Sequence, residues 1–318
     1  MIKSVVVRGG NITSIDVAKI PDLKKVKDYI FVELNEPTNS DFYFIQEKFG
    51  IDPLEIEDMQ TKGQRPKVED YEDHLFTVVH SLDLGEENLI VNEVYIIVGR
   101  NWVIVVHWRD RCVQEVLSKY FKPGLAKTLK LSPDFVFLAV VDRIVDRYFE
   151  LLNEIGEMIA KLEEEAEENP RREIIAKMSD IRRMLITFRR TVWPTREALW
   201  SILKGIYILI SDENLKYFRD VYDHIAKIMD MIDSQYSQVG HVGEVYMASI
   251  SVNTNEIVKI FTIIASIFMP PTLIASIYGM NFRYMPELYW EHGYFFALLL
   301  MLVSTIIPLI YIKLRRYI

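Results

Sequence analysis

Two apolar stretches near the C-terminus decide the fold of this chain. Residues 257–278 read IVKIFTIIASIFMPPTLIASIY, and residues 294–312 read YFFALLLMLVSTIIPLIYI. The first has one charge, Lys259, and the second has none. A helix needs about 20 apolar residues to cross a bilayer, so both stretches predict membrane-spanning helices rather than a buried hairpin. Aromatic side chains, which prefer membrane interfaces, flank them: Tyr278, Phe282, Tyr284, Tyr289, Trp290 and Tyr294.

Basic residues predict the orientation of the two spans. Lys313, Arg315 and Arg316 follow the second span directly, whereas the connecting loop holds only Arg283. The positive-inside rule therefore predicts a multi-pass protein of the cell membrane with both termini in the cytoplasm. The apolar stretch in the opening residues is too short for a signal peptide, which agrees with a cytoplasmic N-terminus. The predicted parts are the spans 257–279 and 294–312, an external loop 280–293 and a basic cytosolic tail 313–318.

The region before the first span is almost wholly helical. Ser132-Pro133 and Asn169-Pro170 each have the form of a helix N-cap followed by proline. They predict helices at about 134–167 and 171–204, which form an antiparallel hairpin within residues 131–211. Ten acids against three bases lie between Asp142 and Glu168. These acids indicate either a solvated helix face or a surface that concentrates divalent cations.

A stalk helix is predicted for residues 212–256, because helical spacing continues from Ser211-Asp212 into the first span. With the span included, it would be roughly 100 Å long at about 1.5 Å per residue. That length exceeds any globular core. We therefore expect the helix to enter the membrane.

Residues 1–130 are predicted to form a cytosolic α/β domain. Helical patterns occur at Asn39–Gly50 and Pro53–Gln60. Runs rich in Val, Ile and aromatic residues are typical of strands. They lie at Ser4–Val7, Tyr29–Leu34, Leu75–His80, Val91–Val98 and Trp102–His107. Histidines in this strand region are interpreted as packed structural residues rather than ligands: His74, His80 and His107.

Composition and motifs exclude several functions. The net charge of −8 disfavours a nucleic-acid partner, and Cys112 is the only cysteine, so no internal disulfide is possible. The chain has no phosphate-binding loop, nucleophile elbow or His-Glu-x-x-His motif, so we expect neither an enzyme nor a nucleotide ligand. Any transport should then be passive. A potential of 100 mV favours entry of a divalent cation by about 4.6 kcal/mol.

Polar and small residues repeat along one face of the first span. Their spacing alternates between three and four, which keeps them on one side of a helix. A helix-packing face is one interpretation, because small residues also mediate membrane contacts. Amides in lipid are costly, however, so Asn255 and Asn281 must face protein or water. One hairpin cannot enclose water, so we predict several copies around an axis with the first span inside. The stripe comprises Asn255, Val258, Thr262, Ala265, Met269, Thr272, Ser276 and Gly279.

The loop after this stripe resembles the signature of the CorA family of Mg²⁺ channels. Tyr278-Gly279-Met280-Asn281-Phe282 is followed by Met285-Pro286-Glu287-Leu288. The segments Arg65–Glu69 and Phe218–His224 are also similar to family segments. The resemblance covers the whole order of parts, and it implies a funnel-shaped homopentamer in the lipid bilayer. It also implies Mg²⁺ as both transported ion and regulatory ligand.

The resemblance assigns roles to single residues. Gly279, Met280 and Asn281 would form the outer ion site, with Glu287 adding negative charge at the entrance. Mg²⁺ sheds water reluctantly, so amide oxygens suit it by accepting hydrogen bonds from its bound waters. Ser276 stands where relatives carry glycine, which should narrow the pore. The implied pore-lining residues are Asn255, Val258, Phe261, Ala265, Met269, Thr272 and Ser276, with Val258 and Phe261 forming a hydrophobic constriction.

Asp220 matches a family carboxylate that pairs through Mg²⁺ with an acid of the neighbouring subunit. Asp83, Glu86 and Glu87 are the candidate partners. Bound Mg²⁺ would favour a closed state, and its loss would let the carboxylates repel, which gives feedback gating. The alternative is an ordinary exposed aspartate on the stalk.

Two other functions remain open. The same architecture could carry Co²⁺, Ni²⁺ or Zn²⁺, although amide oxygens without sulfur or imidazole favour a hard ion. His292 in the loop is a weak indication of one of these other ions, because imidazole is a ligand that suits them. The second alternative is a membrane-anchored sensor, in which the hairpin is only an anchor and Asn281 is dispensable.

Overall fold

The computed structural model describes residues 2–8, 11–15, 28–86, 88–121, 131–205 and 207–314. The chain divides into two units, Met1–Gly243 and Glu244–Ile318. The first unit contains a mixed sheet and the helices packed on it. The second contains the two apolar helical segments and the loop between them.

The strands of the first unit form one sheet in the order β2-β1-β3-β7-β6-β5-β4. β3 and β7 run parallel, with Phe31 opposite Val103, and the other neighbouring strands described are antiparallel. The strands are β1 Ile2–Arg8, β2 Asn11–Ile15, β3 Tyr29–Asn35, β4 Lys67–Asp70, β5 His74–Leu84, β6 Leu89–Gly99 and β7 Trp102–His107.

Helices cover both faces of the sheet, so β7 is buried along its whole length. On one face, Phe42 and Ile45 of α1 (Asn39–Phe49) and Met59 of α2 (Pro53–Thr61) join the strand residues of one core cluster. On the other face lies α3 (Arg111–Tyr120), followed by Phe121, whose ring packs edge-on against Phe31 with centroids 5.0 Å apart. Burial of alternate strand residues on both sides explains the nearly continuous apolar runs in the sequence.

Local capping sets where the short helices begin. The backbone N–H of Thr38 donates to Asp41 at 2.8 Å, and the backbone N–H of Asp52 donates to Glu55 at 2.9 Å. Both contacts are half of a capping box. Asp110 accepts from the backbone N–H of Val113 at 2.9 Å and so caps α3. Helix α1 ends at Gly50, whose φ of 73° suits a residue without Cβ.

A long antiparallel hairpin follows the sheet. It consists of α4 (Pro133–Glu168) and α5 (Glu173–Lys204), and the rings of Tyr148 and Phe188 meet across it at 5.5 Å. Ser132 caps α4 as predicted. The proposed N-cap at Asn169 is wrong: Asn169 instead closes α4 through its N–H to Glu165. Pro170 lacks an N–H and cannot extend α4, and α5 begins three residues later.

Helix α6 runs without a break from Asp212 to Tyr278. Gly240 and Gly243 do not end it, as expected, and the helix also continues through Pro270 and Pro271. These prolines have no N–H, so the carbonyls of Ser266 and Ile267 lose their usual helical donors. In the first unit α6 packs on α4, where the Gln235 amide donates to the Leu152 carbonyl at 2.6 Å.

The second unit ends with α7 (Gly293–Leu314), which is preceded by a short 3₁₀ helix at Pro286–Tyr289. Predicted strands and helices are confirmed at all the positions named above, with ends shifted by a few residues. Among the described residues, β2, β4, α3 and this 3₁₀ helix were not predicted. Strand β4 has four residues and β2 five, which is too short for a clear alternating pattern.

Candidate functional site

The two apolar helical segments expose the surfaces that a soluble protein would bury. None of the most apolar 18-residue window of α6 is buried, and only 11% of that of α7. Both are long enough to cross a membrane. A core helix would be mostly buried, so the soluble-hairpin alternative does not fit. The flanking rings are also exposed, including Tyr284 at 83% and Tyr289 at 84%.

Every residue predicted to line a pathway is exposed in the single chain. Phe261 and Met269 are 68% and 69% exposed, and the polar members of the stripe are exposed as well. The set of exposed residues comprises Asn255, Val258, Phe261, Ala265, Met269, Thr272, Ser276, Gly279, Met280, Asn281 and Glu287. The stripe therefore does not pack against α7 of the same chain.

The hydroxyls of this stripe are arranged as hydrogen-bond acceptors. Thr262 donates its hydroxyl proton to the Val258 carbonyl at 2.8 Å, and Thr272 donates to the Phe268 carbonyl at 2.6 Å. Each proton is held by the helix itself, as is usual for Thr within a helix. The oxygen keeps a lone pair for an outside donor such as water.

The amides at the two ends of the stripe have no such internal partner. Among the described residues, the side chains of Asn255 and Asn281 form no hydrogen bond. An amide offers one acceptor oxygen and two donor hydrogens, so each needs partners from water, an ion shell or another chain. The two ends of the face are thus the most polar and the least satisfied.

The loop after α6 is held close to the helix ends. The N–H of Gly279 donates to the carbonyls of Ala275 at 2.9 Å and Ser276 at 3.2 Å, which finishes α6 and leads into Asn281. At the other end, a Cβ on Gly293 would lie 2.0 Å from the Glu287 carbonyl oxygen. Only glycine permits this approach. Gly293 was not predicted as a residue of the site, although a glycine at the first position of an apolar helix was a visible signal.

The predicted regulatory acids lie in the first unit. The Asp220 side chain is 69% exposed on α6, with His224 one turn away at 3.8 Å. Asp83 ends β5, where Arg147 approaches to 3.6 Å and Asn92 donates at 3.4 Å. Burial raises the pKa of Asp83, and the charge of Arg147 opposes that rise. Glu86 is exposed in the following turn, and Glu87 lies outside the described residues.

Asp142 on α4 is an acid that the sequence analysis did not single out. Burial raises its pKa, and the nearby charges of Asp146 and Asp220 raise it further. The charge of His224 opposes this rise, so Asp142, Asp220 and His224 lie near enough to influence one another's charge. Even so, no group of three or more potential ligands with metal-binding geometry occurs within the described ranges.

The other expectations have simple outcomes. His74 is buried, and its Nε2 lies 2.9–3.0 Å from the two carboxylate oxygens of Glu55. His107 is buried with its Nε2 3.2 Å from Glu33 Oε1, so both are packed residues as predicted. Several acids of α4 are paired within the chain: Arg147 holds Glu150 at 3.0 Å and Glu154 at 3.1 Å. Arg315 and Arg316 lie outside the described residues.

These features define a class: an integral membrane protein with two C-terminal spans, preceded by a mixed α/β unit with long helices. The family model described as "CorA-like Mg2+ transporter protein" matches residues 26–316. The cobalt/magnesium transport protein CorA of Thermotoga maritima is 38% identical over 275 residues, covering 86% of this chain and 78% of that protein. The putative metal ion transporter YfjQ of Bacillus subtilis is 31% identical over 293 residues, covering 89% and 88%.

A solved structure shares the fold. The CorA magnesium transporter of Methanocaldococcus jannaschii superposes with a TM-score of 0.82 at 20% identity, covering 98% of this chain and 97% of that one. The chain therefore belongs to the CorA-like Mg²⁺ transporter family, a family of transporters and not of enzymes.

Proposed function

We propose that this chain assembles into a homopentamer in the cell membrane and conducts Mg²⁺ passively into the cytoplasm. The observation that supports this most directly is the exposed polar face of α6, whose terminal amides at Asn255 and Asn281 have no partner among the described residues. In a ring with α6 innermost, these faces enclose water and α7 faces lipid. The family resemblance supplies the number of five copies.

The chemistry of the face suits an ion that keeps its water. A ring of Asn281 amide oxygens, with Gly279 and Met280 shaping the turn, accepts hydrogen bonds from the bound waters of Mg²⁺. Glu287 raises the local concentration of cations at the entrance. Further along, the Thr272 oxygen is a pure acceptor because its proton is held by Phe268.

Apolar levels separate these polar ones. Met269 lies about one helical turn before Thr272. Val258 and Phe261 form a ring near the inner end, and Ala265 lies between that ring and Met269. Such hydrophobic constrictions close a pathway by excluding water. Opening then requires only that the helices move apart. The inside-negative membrane potential drives entry, at about 4.6 kcal/mol per 100 mV for a divalent ion.

Cytosolic Mg²⁺ is proposed to regulate the channel at Asp220. The family resemblance implies that the ion would bridge Asp220 to a carboxylate of the neighbouring copy, and no group of three potential ligands occurs within the described part of one chain. Glu86 is the more available candidate, since it is exposed, whereas Asp83 is engaged by Arg147 and Asn92. Loss of the ion leaves like charges facing each other and favours opening.

Reconstitution tests the proposed transport. We expect vesicles containing the purified chain to take up Mg²⁺ at a rate that rises with an imposed inside-negative potential. Asn281→Ala should nearly abolish uptake, because it removes the amide ring. Asn253→Ala is the control: Asn253 is also an exposed asparagine, but it belongs to α6 and lies away from the stripe at about 100° per residue. Full uptake by Asn281→Ala would support the membrane-anchored sensor instead.

Co²⁺ is the second candidate cargo, because the Thermotoga maritima relative is named a cobalt/magnesium transport protein. Adding Co²⁺, Ni²⁺ or Zn²⁺ against Mg²⁺ in the same vesicles separates the cargoes. Mutual competition between Co²⁺ and Mg²⁺ is expected. Zn²⁺ uptake that ignores Mg²⁺ would contradict a pathway built from oxygen acceptors.

A further inference from the structure

A cavity of about 540 Å³ lies in the first unit, between the sheet and α3. Residues of β1, β3 and β7 form its floor, and Leu117 of α3 lies on its opposite wall. Ligand sites in proteins usually measure about 300–1,000 Å³, so the cavity can hold a small molecule. None of the described residues that line it belongs to the proposed ion pathway or to the regulatory acids.

The cavity reaches the carboxyl ends of a parallel strand pair. Strands β3 and β7 end at Asn35 and His107, which lie opposite each other, and Asn35 lines the cavity. In open α/β sheets, ligands bind outside such ends. Two residues at this edge hold a backbone conformation that is rare outside glycine, with φ of 51° at Glu36 and 55° at Arg109. Backbone strain of this kind is concentrated at functional sites.

Glu33 supplies a negative charge to the cavity. Its side chain is 11% exposed, and its Oε1 lies 3.2 Å from Nε2 of His107. The Nδ1 of His107 accepts from the Asp110 N–H at 3.0 Å, so a neutral ring carries its proton on Nε2 and donates to Glu33. Burial alone would raise the pKa of Glu33, but the hydrogen bond from His107 and the charge of Lys3 outweigh burial and hold the pKa below its ordinary value.

Lys3, opposite Glu33 on β1, satisfies this carboxylate only loosely. Its Nζ lies 3.5 Å from Oε2 of Glu33, whereas charge-assisted hydrogen bonds measure about 2.7–2.9 Å. The Lys3 side chain is 62% exposed, so water and salt screen its charge, while the charge of Glu33 acts in a medium of lower dielectric constant. Within the cavity, the stronger requirement is therefore for a cationic donor.

The floor of the cavity becomes apolar next to this charge. Val5, Phe31 and Val103 lie side by side on the three strands, and all three line the cavity. They are two residues from Lys3, Glu33 and their neighbour on β7, so they share one face of the sheet. A ligand that fills the cavity meets a carboxylate at one end and hydrocarbon at the other.

We propose that this cavity binds an amphipathic amine, whose ammonium group donates to Glu33 and whose apolar part contacts Val5, Phe31 and Val103. An ammonium group supplies three donors and a charge opposite to that of Glu33. An alcohol of the same length lacks the charge, and a carboxylate of the same length is repelled by Glu33. The inference requires neither transport nor assembly, so it can fail independently of the proposed function.

Calorimetric titration of the full chain in detergent with hexylamine tests the inference, with 1-hexanol and hexanoate as probes of equal length. We expect saturable binding of one hexylamine per chain, weaker binding of hexanol and no binding of hexanoate. Butylamine should bind about 15-fold more weakly than hexylamine, because each buried methylene contributes about fourfold. Glu33→Gln should weaken hexylamine binding about tenfold. Glu47→Gln, a change at an exposed glutamate of α1 on the other face of the sheet, should bind as the wild type does.

Leu117→Trp keeps the test decisive if Glu33→Gln does not fold, which thermal unfolding would reveal. It leaves Glu33 and His107 in place, fills the cavity from α3 and should lose hexylamine binding. Absence of saturable hexylamine binding to the wild type, or equal binding of hexylamine and hexanol, would overturn the inference. Wild-type affinity in Leu117→Trp or in a folded Glu33→Gln would also overturn it.

Discussion

Asp134 joins the N-terminal ends of two long helices. It is 5% exposed at the start of α4, and one oxygen accepts from the Ser211 N–H at 3.0 Å, the Ser211 hydroxyl at 2.6 Å and the Asn214 amide at 2.8 Å. Burial alone would raise the pKa of Asp134. The hydrogen bonds from Ser132, Ser211 and Asn214 outweigh burial and hold the pKa below its ordinary value.

We expect Asp134→Ala to destabilise the chain by about 3 kcal/mol at pH 7, because buried donors lose their acceptor. A lowered pKa in the folded state means that this stabilisation is present above about pH 4 and disappears as pH falls through the folded-state pKa. Thermal unfolding at pH 7 and pH 3 measures both effects, with exposed Glu164→Gln as control. If the difference in unfolding temperature between Asp134→Ala and the wild type is the same at pH 7 and pH 3, the stabilisation does not depend on an ionised Asp134.

Asn281 and Asn253 illustrate how far a single residue can be interpreted from sequence. Both are exposed asparagines in or beside the first span. The family motif and the helical spacing singled out Asn281, and no pattern distinguished Asn253.

At the level of elements, the contact between the 3₁₀ helix Pro286–Tyr289 and α7 depends on Gly293. An added Cβ would lie 2.0 Å from the Glu287 carbonyl oxygen, a backbone atom that cannot turn aside. The 3₁₀ helix must then shift, and Glu287 moves with it. The geometry of the loop is therefore set at the first residue of α7.

We expect Gly293→Ala to cost about 1–3 kcal/mol, as overpacking usually does, and to lower Mg²⁺ uptake. Gly240→Ala is a matched control, because nothing lies within 4 Å of its added Cβ and alanine is the better helix former. Thermal unfolding in detergent and vesicle uptake report the two effects. Gly293→Ala that unfolds and transports like Gly240→Ala would show that this contact is unimportant.

The elements that were predicted from sequence are those with long, strong patterns. Strand β7 matches its predicted bounds, Trp102–His107, because it is buried on both faces and reads as a continuous apolar run. Helix α3 was missed because its buried residues Cys112, Val113 and Val116 occupy only about two turns. Its cap, Asp110, accepts from the Val113 N–H only three residues away, which is a local signal that was overlooked.

At the level of the whole molecule, the proposed function requires contacts that one chain does not contain. The polar stripe of α6 is exposed, and Asp220 is 69% exposed without a completed metal site among the described residues. In the proposed assembly, a heterologous contact repeated around an axis would close into a ring and would supply both missing partners. Conduction and regulation would then depend on the same assembly.

We expect Asp220→Ala to blunt inhibition by internal Mg²⁺ while leaving uptake at low internal Mg²⁺ intact. The reason is that the bridging carboxylate is lost from every interface at once. Uptake into vesicles preloaded with graded Mg²⁺ measures this, with Asp230→Ala, another exposed acid of α6, as control. If internal Mg²⁺ inhibits Asp220→Ala at the same concentration at which it inhibits the wild type, Asp220 is an ordinary surface residue.

The sequence by itself determined the membrane spans, the helical hairpin, the unbroken helix from Asp212 and the family. Each depends on local periodicity, length or a contiguous motif, and such signals survive without any neighbour. The tertiary structure alone decided the sheet order, the role of Asn169 and the close approach at Gly293. These depend on which distant atoms meet, and one sequence without its fold does not specify that.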